Sequence, residues 1–434
     1  MKNFDLKKYI FSSIWLIFEF FFKITMTFIL AIILARYLGP KSFGLLNYSL
    51  SLVGCFLILS RLGIEYTLVR DTAKYPNKSN EYMITAFGLI VITSILALFL
   101  LNFLLFFFES DSNVKFYTAI VSLGLLFQCF QVIDYSFQGH GLSKYSSLAK
   151  LFSYGLSILL KVYLVLNNAD LSLIVLSYLL DPIILSVSLL ITHIAVKNSI
   201  NIKYFQKNLV KPILKSSWPL VITALSIQLC LLIDQIMIKT LLGSHELGIY
   251  SAATRLYQGW IFFSYIFASS LIPIITKFKQ YNRNIYVKFL SILFGSVFWF
   301  GIILSLFVNF FADSIVLITF GSAFIDSVVI LKVLIFTAPF TILGSMISRY
   351  LMIENMEKKI LFMTFIGLCL NFVFNTILIP IYGPVGGAIS TFISIFVGHF
   401  LILFFISNLK FIQEIVLKGI LIRYHNHSNN NIHS

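Results

Sequence analysis

Long apolar runs, each broken by a few charged, Pro or Gly residues, repeat along the whole chain. They fall near 10–35, 43–64, 82–108, 115–137, 145–166, 171–196, 213–238, 248–272, 286–311, 328–352, 360–381 and 385–408. A helix of about 20 residues crosses the hydrocarbon core, so each run is long enough to span it. A bilayer supplies no water to unpaired backbone groups, so the spanning segments should be helices. The pattern therefore predicts an all-α polytopic membrane protein of about 12 transmembrane helices joined by short loops.

Composition fixes the ceiling on that count. Of 434 residues, 59% are hydrophobic and 11% charged, against about 25% charged in soluble domains. This excludes an ordinary soluble enzyme and caps the spans at about thirteen. The four cysteines, Cys55, Cys129, Cys230 and Cys369, all lie in apolar runs without metal-site or redox spacing and read as small core hydrophobes. The first apolar run is too long for a signal peptide and carries Glu19 and Lys23, so it reads as a retained span.

The net charge of +15 acquires a meaning once the loops are sorted. One side receives Lys2, Lys7 and Lys8, then Arg70, Lys74 and Lys78, Lys144, and the run Lys197, Lys203, Lys207, Lys211 and Lys215. It continues with Lys277, Lys279, Arg283 and Lys288, then Lys358 and Lys359, and ends with Lys410, Lys418 and Arg423. The other side receives Arg36, Lys41, Lys115 and Lys239. The positive-inside rule then places both termini in the cytoplasm. The basic excess is mostly topological, which argues against nucleic acid as a partner; the 197–215 cluster reads as a solvated orienting loop, with contact to anionic membrane lipid headgroups as a lesser role. The amphipathic stretch 411–423 reads as interfacial. Beyond it, His425, His427 and His433 lie among Asn and Ser, as a disordered polar tail rather than a metal site.

A shift of 204 residues lays Ser12-Ser13 on Ser216-Ser217, Leu38-Gly39 on Leu242-Gly243, Gly44 on Gly248 and Leu52 on Leu256. Six spans separate the copies, so the two halves point the same way across the bilayer. The division expected is 1–200 and 201–408 as two parallel-repeat six-helix bundles, with 409–434 as an interfacial segment and tail. Two such bundles can enclose a central cavity and rock about it.

Ionisable residues at membrane depth are costly, roughly 2.5–3.5 kcal/mol each on the insertion scale, and so mark function or a partner. Lys23, Lys161 and Arg255 are the substrate-path candidates; Glu19, Asp181 and Asp234 are the candidates for coupling to an ion. Glu19 and Lys23 share a helix face and could simply pair. Lys150 reads as a side chain that snorkels to the interface. Asp181 precedes Pro182, where a helix kink frees backbone groups. The guanidinium of Arg255 fits phosphate oxygens, with pairing to Asp234 as the structural alternative. No P-loop pattern is present, which argues against direct ATP use.

Several segments in order resemble the Wzx-type polysaccharide and O-antigen flippases of the multidrug/oligosaccharidyl-lipid/polysaccharide exporter superfamily. They are Ala35-Arg36-Tyr37-Leu38-Gly39-Pro40, Phe43-Gly44-Leu45-Leu46-Asn47-Tyr48, Leu62-Gly63-Ile64-Glu65 and Gln138-Gly139. In the second half come Asp234-Gln235, Gly248-Ile249-Tyr250-Ser251-Ala252-Ala253, Asn371 with Asn375, and Ile379-Pro380-Ile381-Tyr382-Gly383-Pro384. The resemblance implies a transporter, not an enzyme, in the bacterial cytoplasmic (inner) membrane, with no cofactor. It implies movement of a polyprenyl-diphosphate-linked oligosaccharide to the outer leaflet by alternating access, driven by a proton or sodium gradient. A polysaccharide polymerase and a chain-length regulator of lipopolysaccharide synthesis would be its partners. Two alternatives stay open: a membrane polymerase or lipid-dependent glycosyltransferase, and a drug exporter of the same superfamily. The topology itself is directly testable: a cysteine at Asn208 should react only with reagent applied from the cytoplasm and one at Ser110 only from outside, and the reverse pattern would invert the orientation.

Overall fold

The computed structural model describes residues 6–197, 202–279, 283–354, 356–406 and 409–421. Among them the ordered structure is helical throughout. Among the described residues eight helices are long and apolar enough to cross a membrane, or nine if one pair bent by 44° at 336–337 counts as a single span. The chain forms two compact units, Met1–Leu232 and Ile233–Ser434.

The first unit holds α1 (Leu6–Arg61), α2 (Ile64–Lys74), α3 (Ser79–Phe108), α4 (Ser112–Ser122) and a 3-10 stretch Leu123–Phe130. It continues with α5 (Gln131–Gly139), α6 (Ser143–Leu166), α7 (Leu171–Lys197) and the first part of α8 (Lys207–Leu242). Helix α1 covers two expected spans, because it breaks at Gly39, whose φ of 69° and ψ of 173° are not helical. Gly243, its mate in the 204-residue repeat, also has a left-handed φ, 93°. No atom crowds either position, so backbone conformation rather than space calls for glycine there.

Apolar residues of α1, α3, α4, the 3-10 stretch and α7 form one core, including Leu34, Leu46, Leu101, Leu125 and Ile174. A second core joins α2, α3, α5 and α7 to Ile213 of α8, and Ser217 Oγ lies 3.0 Å from Thr67 Oγ1. These contacts group Lys207–Leu232 with the first unit, so the unit boundary falls inside α8 rather than at residue 200. Lipid tails are as apolar as Leu, so packing and small residues hold such helices together. The hydroxyls of Ser60 and Ser94, 2.6 Å apart, join α1 to α3 in this way.

The second unit holds the end of α8, α9 (Ser244–Lys279), α10 (Arg283–Thr319), α11 (Ser327–Ile335), α12 (Ala338–Ile353) and α13 (Glu357–Tyr382). After it come α14 (Pro384–Phe396), a π-helical turn Val397–Leu401, α15 (Ile402–Phe405) and α16 (Lys410–Ile420). The α13–α14 turn depends on Gly383, with φ 59°, and on Gly386, where a Cβ would lie 2.1 Å from the Leu378 carbonyl oxygen. Many phenylalanines, Phe99, Phe106, Phe108 and Phe310 among them, are exposed, as lipid-facing side chains are. Cys55 and Cys129 are buried thiols, whereas Cys369 is exposed and so is not a core residue.

Helix α16 forms where an interfacial segment was expected, but its apolar face lies on protein. Ile412, Ile415, Val416 and Gly419 are buried, and Trp299 Nε1 of α10 donates to the Ile420 carbonyl at 3.1 Å. Gly419 and Gly295 meet backbone to backbone; a Cβ on Gly419 would lie 2.2 Å from the Ser291 carbonyl oxygen. The three tail histidines lie outside the described residues. Replacing Gly419 with Leu should cost about 1–3 kcal/mol through overpacking, read as a lower midpoint in detergent unfolding, and an unchanged midpoint would show that α16 does not bear on α10.

Candidate functional site

The deep charges gather into three groups among the described residues, each built from different helices. In the first, α6 places Lys150 against two acids. Its Nζ lies 2.6 Å from Asp134 Oδ2 on α5 and 3.3 Å from Glu19 Oε1 on α1. Ser147 Oγ donates to Glu19 Oε2 at 3.0 Å and Gln138 Nε2 to Asp134 Oδ2 at 3.0 Å. The expected Glu19–Lys23 pairing does not form. Lys23 is exposed, with its ammonium 5.4 Å from the centre of the Tyr154 ring. Lys150 is buried rather than snorkelling, because two carboxylates offer it more than the interface would.

Arg61 stands close to the same group. The turn that follows it bends back through Leu62 and Gly63, both at left-handed φ, 51° and 60°. Its Nε and Nη2 donate to a single acceptor, Gln128 Oε1, at 3.0 and 2.8 Å. Lys23 feels the charges of Arg61, Lys150, Glu19 and Glu65 together.

The second group joins α6 to α7. Lys161 is wholly buried and bonds Asp181 Oδ1 at 2.5 Å. Ser157 Oγ donates to the same oxygen at 2.5 Å and accepts from Lys161 at 2.8 Å, and the Tyr178 ring lies 4.4 Å from Nζ. Pro182 is taken into α7 without ending the helix; its ring packs on Gly124, where a Cβ would come within 2.8 Å. Lys161 and Asp181, expected on the substrate path and at the ion site respectively, are thus each other's partner.

The third group lies in the second unit and differs in kind. Asp234 on α8 is 4% exposed and accepts four hydrogen bonds from neutral donors. Tyr250 Oη on α9 donates at 2.7 Å, Asn371 and Asn375 Nδ2 on α13 at 2.9 and 2.6 Å, and Thr391 Oγ1 on α14 at 2.5 Å. Asn375 also donates to Asn371 Oδ1 at 3.1 Å, while its own Oδ1 is buried without a partner. Among the described residues the donors to Asp234 do not include Arg255, so the alternative pairing gives way to a polar cage. Arg255 sits half-buried on α9, about two and a half turns beyond Glu246.

Helix spacing explains this cage. Asn371 and Asn375 are four apart and share one face of α13. Gly387 admits Ile238 Cδ1 within 3.1 Å and Tyr250 Cε2 within 3.5 Å of where a Cβ would be, which brings α14 onto α8 and α9. Sequence reasoning missed Asp134, Lys150, Tyr250 and Thr391 as site residues. The Asn pair inside an apolar span was the available signal for the cage; the charge of Lys150 was visible in the sequence, but its partners were not. Among the described residues no three His, Cys, Asp or Glu side chains gather as for a metal ion.

Comparison with known proteins adds the family. A family model described as "Polysaccharide biosynthesis protein" matches residues 12–279. An uncharacterized membrane protein of Methanocaldococcus jannaschii is 26% identical over 393 residues, 86% of this chain and 91% of that protein. Among solved structures, the lipid II flippase MurJ in an inward closed conformation superposes with a TM-score of 0.68 at 19% identity, over 97% of this chain and 94% of that one. A multidrug resistance MATE transporter of the MOP superfamily, inward-facing, gives 0.66 at 15% identity over 93% and 94%. A MOP-superfamily transporter of Pyrococcus furiosus gives 0.61 at 16% identity over 96% and 95%. The fold is the one these polytopic transporters share.

The Lys161–Asp181 pair carries its own test. Asp181→Asn leaves a buried ammonium unpaired and should cost about 3 kcal/mol or somewhat less, given the partial exposure of Asp181. The double variant K161M/D181N should recover most of that in detergent unfolding, and a double variant no more stable than D181N would show that the pair is not the reason for either charge.

Proposed function

We propose that this chain, which belongs to the polysaccharide biosynthesis protein family, is a flippase that carries a polyprenyl-diphosphate-linked oligosaccharide from the cytoplasmic to the outer leaflet by alternating access, coupled to a cation that binds at Asp234. The twelve-span topology with cytoplasmic termini belongs to the same reading, as do an inner-membrane location, a role in making a surface glycan such as O-antigen, and partnership with a polymerase and a chain-length regulator.

One observation carries the coupling site. Of the buried carboxylates among the described residues, Glu19 and Asp134 share Lys150, while Asp234 has hydrogen bonds but no cation. A buried carboxylate without a countercharge is the group that gains most from a proton or a monovalent cation. Its surroundings suit either. Asn371 and Asn375 can present carbonyl oxygens on amide rotation, and the hydroxyls of Tyr250 and Thr391 keep lone pairs. Since Asp181 is matched by Lys161, Asp234 is the favoured coupling residue of the three acids first considered.

For the substrate, Lys161 has its charge and donors committed to Asp181, Ser157 and Tyr178. Lys23 and Arg255 are kept as the phosphate contacts, and Arg61, whose hydrogen-bond partner Gln128 is a neutral amide, is added. A diphosphate needs cations in a low-dielectric path, and the fork of Arg suits its oxygens. The family description, polysaccharide biosynthesis, supports the choice of a lipid-linked glycan over a soluble drug.

The test is a leaflet-specific assay of lipid-linked glycan in vesicles with and without an imposed sodium or proton gradient. Wild type should expose the glycan on the far leaflet in a gradient-dependent way. D234N should lose the gradient dependence, and R255A should lower transport at least tenfold with the protein still in the membrane. Transport by D234N that still follows the gradient would remove Asp234 from the coupling role, and a normal glycan with altered resistance to cationic compounds would point to drug export instead.

A further inference from the structure

The Lys150 group has the form of an occupied ion site. Glu19, Asp134 and Lys150 are 7%, 1% and 9% exposed, on α1, α5 and α6. The ammonium lies 2.6 Å from one carboxylate and 3.3 Å from the other. Ser147 supplies a hydroxyl to Glu19. Asp134 Oδ1, buried, has no hydrogen-bond partner, so the acid is not fully satisfied by the protein around it. The charged neighbours are Lys23 and Arg61 on α1 and Glu65 on α2, with the phenols of Tyr135 and Tyr154 also within electrostatic reach. The surrounding cations and anions are equal in number, three each, but of these cations only Lys150 contacts the two acids.

We propose that Lys150 is a tethered counterion: its ammonium fills a monovalent-cation site built from Glu19, Asp134 and Ser147, and this site in the first unit is thereby closed to exchange. A covalently held cation cannot be drawn from one side of a membrane and released to the other, so it cannot respond to a gradient. The second half of the inference rests on the reading of Asp234 as the coupling residue: ion exchange is confined to the second unit, one ion per cycle. The chemistry follows from charge alone. Removing the ammonium leaves a net negative charge at depth, and the acids must then recruit a free cation or a proton.

Thermal unfolding of the purified full chain tests this, in sodium chloride or choline chloride of equal ionic strength, at pH 6 and pH 8. Lys150→Met should create a dependence absent from wild type at this site. Its midpoint should be several degrees higher in sodium, or at pH 6, than in choline at pH 8, because a ligand that binds only the folded state stabilises it by mass action. The gain should persist in K150M/D234N and shrink in K150M/E19Q, where the charge balance is restored without an ion. K150M with the same midpoint in every medium overturns the proposal, as does a gain that vanishes with D234N. K150M that unfolds in every medium, with K150M/E19Q equally unstable, also overturns it. Failure of the Asp234 reading shows separately, as an unchanged sodium or pH response in D234N alone.

Discussion

A charge inside a membrane must be neutralised where it stands, because the surrounding hydrocarbon offers neither water nor counterions. The first unit meets that requirement internally. Lys150 answers Glu19 and Asp134, and Lys161 answers Asp181. Each pairing also ties helices together: α1, α5 and α6 in one case, α6 and α7 in the other. Such pairs contribute little net stability over apolar packing, yet breaking one is expensive. They therefore act as register marks between helices that otherwise meet through interchangeable apolar side chains.

The second unit meets the same requirement differently. Asp234 is held by Tyr250, Asn371, Asn375 and Thr391, which lower the cost of the charge without cancelling it. Four helices must converge for this, and the convergence depends on glycine. Gly383 and Gly386 turn α13 into α14 at close range, and Gly387 lets α14 reach α8 and α9. The result is a buried acid held by neutral donors alone, in contrast to the lysine-paired acids of the first unit. In the proposed transport cycle that contrast assigns exchange to one unit and fixed charge to the other.

How much of this the sequence revealed depends on the range of the interaction. Hydropathy and loop charge act locally along the chain, and they pointed to a polytopic helical protein. The repeat was legible too, and its glycines at 39 and 243 share a left-handed backbone. Side-chain partners were not legible. Glu19 meets Lys150 across 131 residues of chain and Asp234 meets Asn375 across 141, so spacing rules that compare neighbours on one helix suggested Lys23 for Glu19. The reading of Lys150 as a snorkelling side chain failed for the same reason: burial near a helix end says nothing about which acids another helix brings. Asn371 and Asn375 were visible as polar residues in an apolar span, but their common target was not.

The central claim is that Asp234 alone among the deep acids changes its charge state or ligand with the coupling ion. Infrared difference spectroscopy of the reconstituted protein, on addition of sodium and on a step in pH, reports carboxyl and carboxylate bands directly. The account predicts one difference pair that disappears in D234N and survives in E19Q, D134N and D181N. A difference pair that survives in D234N and is lost with Glu19, Asp134 or Asp181 would contradict it.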